Sequence, residues 1–323
     1  MVTPIGGDRE SPLRLATRGS PLALFQARRV ADLLAALPGP THCEVVVVQT
    51  TGDTLVDVPV AQLGGQGAFV KEVQLAVLDG RADLAVHSAK DLPSVTPPGL
   101  VLACVPERAD PRDALVGCAL ESLSSGATVA TGSVRRRAQL AWLRPDLTYC
   151  DLRGNMAKRL DRALEVGAGV LAWAALQRLG LNAPVAEVLD VATMLPQVGQ
   201  GALAVECRDG DHAVLELLAA VDDRVAHSAV RAERGFLAAL GGGCTLPLGA
   251  LAVVRDDGQL SIDGFLASRD GRILLRRGID GPMSEPETLG RRLSAVLLDE
   301  CGGRSLDDWD DDAWTEPDRA RQP

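Results

Sequence analysis

The chain has 323 residues, 46% of them hydrophobic and 24% charged, with a formal net charge of -10. That length predicts two or three domains with ordinary cores, and the acidic balance argues against a nucleic-acid protein, which would normally show a basic face. No apolar run reaches the about eighteen residues of a membrane span, and the first residues, Met-Val-Thr-Pro-Ile-Gly-Gly-Asp-Arg-Glu, lack the apolar core of a signal peptide.

In chain order, Leu13 to Thr17 reads as a short strand that meets Arg18-Gly19-Ser20-Pro21, with Ser20 as helix cap and Pro21 at the first helical position. Leu22, Leu24, Phe25, Val30, Leu33 and Leu34 then form one helix face. The β-branched run from Cys43 to Thr50 reads as a buried strand. Leu63-Gly64-Gly65-Gln66-Gly67-Ala68-Phe69 reads as a mobile loop, Lys71 to Leu78 as a helix and Ala82 to His87 as a strand. A second unit opens with strand Thr128-Val129-Ala130, turn Thr131-Gly132 and a helix capped by Ser133 that runs to about Leu143. Thr148 to Leu152, a helix near Met156 to Glu165 and the strand Gly169 to Trp173 follow. Strands alternating with helices predict α/β domains with largely parallel sheets.

The two strand–turn–helix openings, Leu-Ala-Thr-Arg-Gly-Ser-Pro-Leu-Ala and Val-Ala-Thr-Gly-Ser-Val-Arg-Arg-Arg-Ala, are alike. They suggest two related domains facing each other across a ligand cleft. Gln197 to Glu206 looks like a glycine hinge feeding another strand. Beyond Arg224 a helix (Ala226 to Leu240), a Gly-Gly-Gly-Cys turn, short strands (249–254, 259–267, 272–278) and a helix from Glu285 to Leu298 make a small α+β domain. Asp307-Asp308-Trp309-Asp310-Asp311-Asp312 reads as a solvated acidic tail.

The chemistry begins at the two turns, because helix N-termini are anion sites. Arg135 and Arg136 lie in a first helical turn, where a cation opposes the dipole, so an anion should answer them: a ligand carboxylate or a neighbouring Asp or Glu. Arg153, Arg159 and Arg178 fall near strand ends, where open α/β sheets bind ligands. With Arg18 and Lys90 they describe a site for a ligand of several negative charges. Lysine occurs only at Lys71, Lys90 and Lys158, all other basic residues being arginine, whose planar fork suits carboxylates. Lys90-Asp91 directly follows a strand and offers one group for an anion and one for a proton or developing cation, with a loop salt bridge as the plainer reading. His87 is taken as a packed strand-end histidine. The seven cysteines (43, 104, 118, 150, 207, 244, 301) are odd in number and form no C-x-x-C pair, against a disulfide framework or a zinc site. No metal is expected, and the protein is read as cytoplasmic. Cys244, between glycines and a proline, is the one placed like a reactive or covalently modified thiol.

Eight motifs in register resemble the porphobilinogen deaminase family, from about Leu13 to Leu298. They are residues 15–24 (Leu-Ala-Thr-Arg-Gly-Ser-Pro-Leu-Ala-Leu), 69–72 (Phe-Val-Lys-Glu), 82–93 (Ala-Asp-Leu-Ala-Val-His-Ser-Ala-Lys-Asp-Leu-Pro) and 107–114 (Glu-Arg-Ala-Asp-Pro-Arg-Asp-Ala). The others are 132–136 (Gly-Ser-Val-Arg-Arg), 152–155 (Leu-Arg-Gly-Asn), 200–202 (Gln-Gly-Ala) and 242–244 (Gly-Gly-Cys). The resemblance implies two periplasmic-binding-protein-like α/β domains around a cleft plus a small α+β C-terminal domain: 12–108 with 201–222, 109–200, and 223–303, followed by a disordered tail, 304–323. It implies a transferase that condenses four porphobilinogen molecules, with loss of ammonia through an azafulvene, into the linear tetrapyrrole hydroxymethylbilane. The primer is a dipyrromethane cofactor joined to Cys244 by a thioether. Asp91 matches the catalytic carboxylate. Ser88, Lys90, Thr131, Ser133, Arg135 and Arg136 match cofactor-binding positions, and Arg18, Ser20, Arg153, Arg159 and Arg178 match positions for substrate carboxylates. Phe69, Lys71 and Gln200 belong to the loop and cleft. Partners are porphobilinogen and the growing polypyrrole, with no nucleic acid or membrane, and the chain is expected to be a monomer. Two departures stand out: Gln62 and Gln66 replace usual lysines, and Gly241 replaces a common acidic residue. A non-catalytic two-lobed protein for small anions is the competing class, and it has no use for Cys244.

Overall fold

Strand β1 (Leu13–Arg18) enters helix α1 (Pro21–Ala35) through a local signal: Ser20 accepts a hydrogen bond from the Ala23 amide, and Pro21 opens the helix without an amide to satisfy. The computed structural model describes residues 11–39, 41–54, 69–241 and 246–306. The chain continues through β2 (Cys43–Val48), the single turn α2 (Thr51–Thr54), α3 (Lys71–Leu78), β3 (Leu84–Ser88), a tight helical turn at Ala89–Asp91, and β4 (Leu100–Cys104). It then crosses to a second set: β5 (Asp113–Val116), β6 (Thr128–Ala130), α4 (Val134–Leu143), β7 (Thr148–Cys150), α5 (Met156–Val166), β8 (Gly169–Ala172), α6 (Trp173–Arg178) and β9 (Val185–Val188). It returns as β10 (Leu203–Arg208) and α7 (His212–Ala219), and ends with α8 (Arg224–Ala239), β11 (Leu248–Val254), β12 (Gln259–Ala267), β13 (Leu274–Pro282) and α9 (Pro286–Ala295).

Three sheets result. The first has the order β2-β1-β3-β10-β4, the second β7-β6-β8-β5-β9, and the third is the meander β11-β12-β13. The first two are mixed, which corrects the expectation of largely parallel sheets. β10 runs antiparallel to β3 and β4, and β5 runs antiparallel to β8 and β9. Each of these strands adjoins a crossing between domains and enters its sheet from the opposite end. β2 is also corrected: it is an edge strand, so its β-branched run is half-exposed and Val47 keeps 58% of its surface in water. β4, β5, β9, α6 and α7 were not foreseen.

The cores are aliphatic, as an aromatic content of 3% requires. Leu15, Leu34, Leu84 and Val205 pack between the first sheet and α1, while Val73 and Val77 of α3 cover its other face. Leu140 of α4 meets Val129 and Val170, and Phe236 of α8 meets Ile262 and Leu293. Each such Leu or Phe contributes about 1.5–3 kcal/mol by leaving water.

The two crossings between the α/β domains lie side by side. The Ala109 amide donates to Gly201 O at 3.2 Å, and Gly201 has φ +84°, where a Cβ would strike the Ala109 carbonyl. Glu233 of α8, fully buried, pins both. It accepts from Arg108 Nη1 and Nη2 (2.6 and 3.1 Å), the Gly199 amide (2.6 Å) and the Ala252 amide (2.9 Å). The third domain thereby holds the junction of the other two.

Candidate active site

The site forms where β1 and β3 end. Arg18, Ser20, Gln26, Phe69, Ser88 and Asp91 line one pocket there. The Arg18 guanidinium stacks over the Phe69 ring, 4.3 Å from its centroid. Gln26, only 2% exposed, donates to Ser88 Oγ at 2.7 Å. The sequence reading missed Gln26; its signal is a buried amide on an otherwise apolar helix face. Asp91 closes the turn that caps β3 and is half-buried, with its pocket in front of it.

Lys90, beside it, is turned toward the second domain, its Nζ 3.5 Å from Gln200 Oε1. Burial pushes Lys90 down to about 8; Asp91 and Asp113 oppose that shift, and Arg136 and Arg159 add to it. Gln200 is itself buried, and its amide donates to Pro111 O and to Asp113 Oδ1, both at 2.8 Å.

Asp113 answers the arginine question. It has no exposed surface and receives Arg135 Nη2 at 2.7 Å and Arg136 Nη2 at 2.8 Å. Their other Nη groups donate to Leu195 O (2.6 Å) and Val170 O (2.9 Å). Burial alone would raise the Asp113 carboxyl, but the two guanidinium charges hold it well below the usual carboxylate range. The anion facing Arg135 is therefore a protein carboxylate, and Arg135, 2% exposed, sits behind the cleft rather than in it. Ser133 caps α4 by accepting from the Arg136 amide, and the buried Thr131 hydroxyl accepts from the Ser133 amide.

Arg159 of α5 is half-buried, its Nε donating to Gly154 O at 2.8 Å. Burial lowers it, Arg136 and Arg18 lower it further, and Asp91 opposes them, so charges of both domains meet at this point. Arg178 of α6 donates to Gly201 O at 2.6 Å and is pushed down to about 10 by burial. Arg153 differs: it is exposed and paired at 3.1 Å with exposed Asp151. Lys71 is exposed on the first turn of α3 and does not line the pocket. Cys244, the Gly64–Gly67 loop with Gln62 and Gln66, and the acidic run from Asp307 lie outside the described residues. The strand after Cys244 can be followed: a Cβ on Gly249 would lie 2.5 Å from Pro196 O and 3.2 Å from Arg135 Cδ, so β11 starts against the back of the cationic site.

Lys90, Arg159 and Arg178 are cations withdrawn from water with few carboxylates facing them, and buried Arg136 Nε has no partner among the described residues. Such a set fits a group bearing several carboxylates. Two α/β domains with a cationic cleft at their strand ends, and a third domain pinned to the hinge, define a two-lobed protein for a polyanionic organic ligand.

Comparison narrows this class. Residues 13–216 match the family model described as porphobilinogen deaminase, dipyromethane cofactor binding domain, and 227–299 match the porphobilinogen deaminase C-terminal domain. The porphobilinogen deaminase of Roseiflexus sp. (strain RS-1) is 50% identical over 91% of this chain and 98% of its own. That of Syntrophotalea carbinolica is 46% identical over 92% of this chain and 95% of its own. An amino acid ABC transporter substrate-binding protein from Streptococcus pneumoniae shares 17% identity over 66% of this chain and 87% of that one, with a TM-score of 0.36. The chain belongs to the porphobilinogen deaminase family. That membership goes against the non-catalytic binding-protein alternative. Among the described residues no helix is long and apolar enough to cross a membrane, and no cluster of metal-ligating side chains occurs.

Proposed function

We propose that the protein condenses four porphobilinogen molecules head to tail, with release of ammonia, into hydroxymethylbilane, on a dipyrromethane held through Cys244. The observation that carries the reading is one carboxylate, Asp91, lining the pocket among cations drawn from both α/β domains: Arg18 and Lys90 from one, Arg136 and Arg159 from the other. When bound, the dipyrromethane would supply the nucleophilic pyrrole carbon that starts the chain. Lys90, Ser88, Thr131, Ser133 and Arg136 would hold its carboxylates. Arg18, Ser20, Arg159 and Arg178, with Arg153 at the rim, would take those of the incoming pyrrole. Arg135 acts at one remove, with Asp113 fixing its neighbour Arg136.

Asp91 carries the chemical role. As the aminomethyl C–N bond breaks and ammonia leaves with the electron pair, positive charge spreads onto the pyrrole nitrogen. A fixed carboxylate there stabilises that charge more than it stabilises the neutral ring, which is what lowers a barrier. It can then accept a proton released when the new C–C bond forms. The surrounding arginines orient the substrate by its carboxylates.

We further propose that the protein acts as a monomer in the cytoplasm. The free thiols at Cys43, Cys104, Cys118, Cys150, Cys207 and Cys301 support a reducing compartment. The test of the whole reading is an intact mass of protein from a tetrapyrrole-producing host. The expected mass exceeds that of the sequence by two pyrrole units, mapped to a peptide containing Cys244, and Cys244→Ser removes the excess. An unmodified wild-type mass defeats the reading.

A further inference from the structure

Beneath the Ser88–Asp91 turn lies a polar cluster for which the proposed reaction has no use. Glu206 of β10 has no exposed surface, and His87 at the end of β3 has 5%. In the antiparallel register Ala204 faces His87 and Glu206 faces Ala85, which puts the two side chains on one face of the sheet as diagonal neighbours. α3 covers that face, and Gln74 Nε2 donates to Glu206 Oε2 at 2.8 Å. His87 Nε2 stands 3.4 Å from the same oxygen. Neither His87 Nε2 nor Glu206 Oε1 has a hydrogen-bond partner among the described residues. Arg234 of α8 lies near enough for Glu206 to act on its charge, but its guanidinium donates to Pro93 O (2.8 Å) and Thr96 Oγ1 (3.2 Å) instead.

A buried carboxylate served by one neutral amide is poorly compensated, and so is a buried imidazole nitrogen with nothing to bond. A proton on His87 Nε2, directed at Glu206, answers both. We propose that His87 carries its ring proton on Nε2, facing Glu206 Oε2, and that the two act as a positioning pair for Ser88, Lys90 and Asp91. The mechanical link is short. His87 directly precedes Ser88, and the turn behind it is seated on the hinge leading into β10: the Ala89 amide donates to Ala202 O at 3.0 Å, and a Cβ on Gly199 would lie 2.9 Å from Lys90 N. Tying the ring of His87 to β10 fixes the catalytic turn against the same strand from below.

The functional half of the proposal rests on the reading of Asp91 given above; the proton does not. The sequence has four histidines, of which His42 and His212 are exposed and His227 Nδ1 lies 2.8 Å from Asp222. Ring 15N–1H correlation spectra of the holoprotein, assigned with His87→Asn, should show His87 as the Nε2–H tautomer, and Glu206→Gln should move its ring signals while those of His42 and His212 stay. A His87 ring protonated on Nδ1 alone, or ring signals indifferent to Glu206→Gln, overturns the pair. In steady-state kinetics with porphobilinogen, Glu206→Gln and His87→Asn should each lower kcat on the order of tenfold per mole of folded protein, with KM within about twofold. Losses that vanish after correction for the folded fraction leave the pair a packing feature and refute the positioning role. A wild-type protein inactive on porphobilinogen would sink the proposed function while the spectra still judge the pair.

Discussion

Asp113→Asn removes one negative charge and leaves the shape. In the wild-type protein that carboxylate takes hydrogen bonds from Arg135, Arg136 and Gln200 at 2.7–2.8 Å with no surface in water. The amide strands two buried guanidinium groups facing each other without an anion. Breaking a buried ion pair by removing one partner costs about 3–5 kcal/mol. At about 2–4 °C per kcal/mol, the melting temperature should fall by roughly 10 °C. The pH dependence has a definite sign. The folded-state Asp113 carboxyl lies well below its ordinary value, so its stabilisation is fully present above the unfolded value of about 3.9 and is lost as pH falls through the folded one. Urea unfolding followed by circular dichroism from neutral pH downward should show a constant gap between wild type and variant to about pH 4, narrowing below. A loss under about 1 kcal/mol, or a gap that already closes near neutrality, would mean that Asp113 does not carry these arginines.

Asp91→Asn should fold and melt like wild type and acquire its cofactor, yet turn over on the order of a hundredfold more slowly with KM little changed; porphobilinogen consumption at wild-type rate would make the carboxylate structural. Lys90, pushed down to about 8, loses its proton as pH rises through that value, and an anionic ligand favours the ammonium form. Loading of the dipyrromethane onto apoprotein should therefore weaken between about pH 7 and 9, and Lys90→Gln should flatten that dependence. Gly199 has φ +71°, and a Cβ there would meet Ala89 C at 2.8 Å and Lys90 N at 2.9 Å. Gly199→Ala should consequently reduce turnover by displacing the catalytic turn, an effect that kinetics on folded protein would read directly.

What the sequence made legible was local. Ser20 and Ser133 announced their helices because a cap acts within three residues, and both side chains accept the amide hydrogen bonds that role demands. Lys71 to Leu78 matched its helix without such a cap, since Val70 makes no side-chain bond there; its buried face of Val73, Gln74, Ala76 and Val77 lies within two turns. What failed was set by distant partners. The run 43–48 has the composition of a buried strand, but its place at a sheet edge depends on which strands pair beyond β1. β4 lies between Pro98 and Pro106 and β9 follows Pro184; both are short, and only β10 and β5 make strands of them. At the site, the spacing of Arg135 and Arg136 demanded an anion but left its source open, because Asp113 approaches from β5, more than twenty residues earlier. The Lys90–Asp91 turn was legible from its motif; the Gln200 contact that orients Lys90 toward the hinge direction was not, since it crosses between domains.

The double crossing has a consequence for synthesis on the ribosome. Every strand of the second sheet lies between Asp113 and Val188, so that domain can close as soon as its own residues have emerged. The first sheet cannot. β10 sits between β3 and β4, and it is made only after the whole inserted domain. Until then β3 and β4 hold open edges and the apolar faces of α1 and α3 lack part of their floor, the condition in which nascent chains aggregate. The N-terminal half of the cleft is thus the last part of the two lobes to form, although it is the first to be translated.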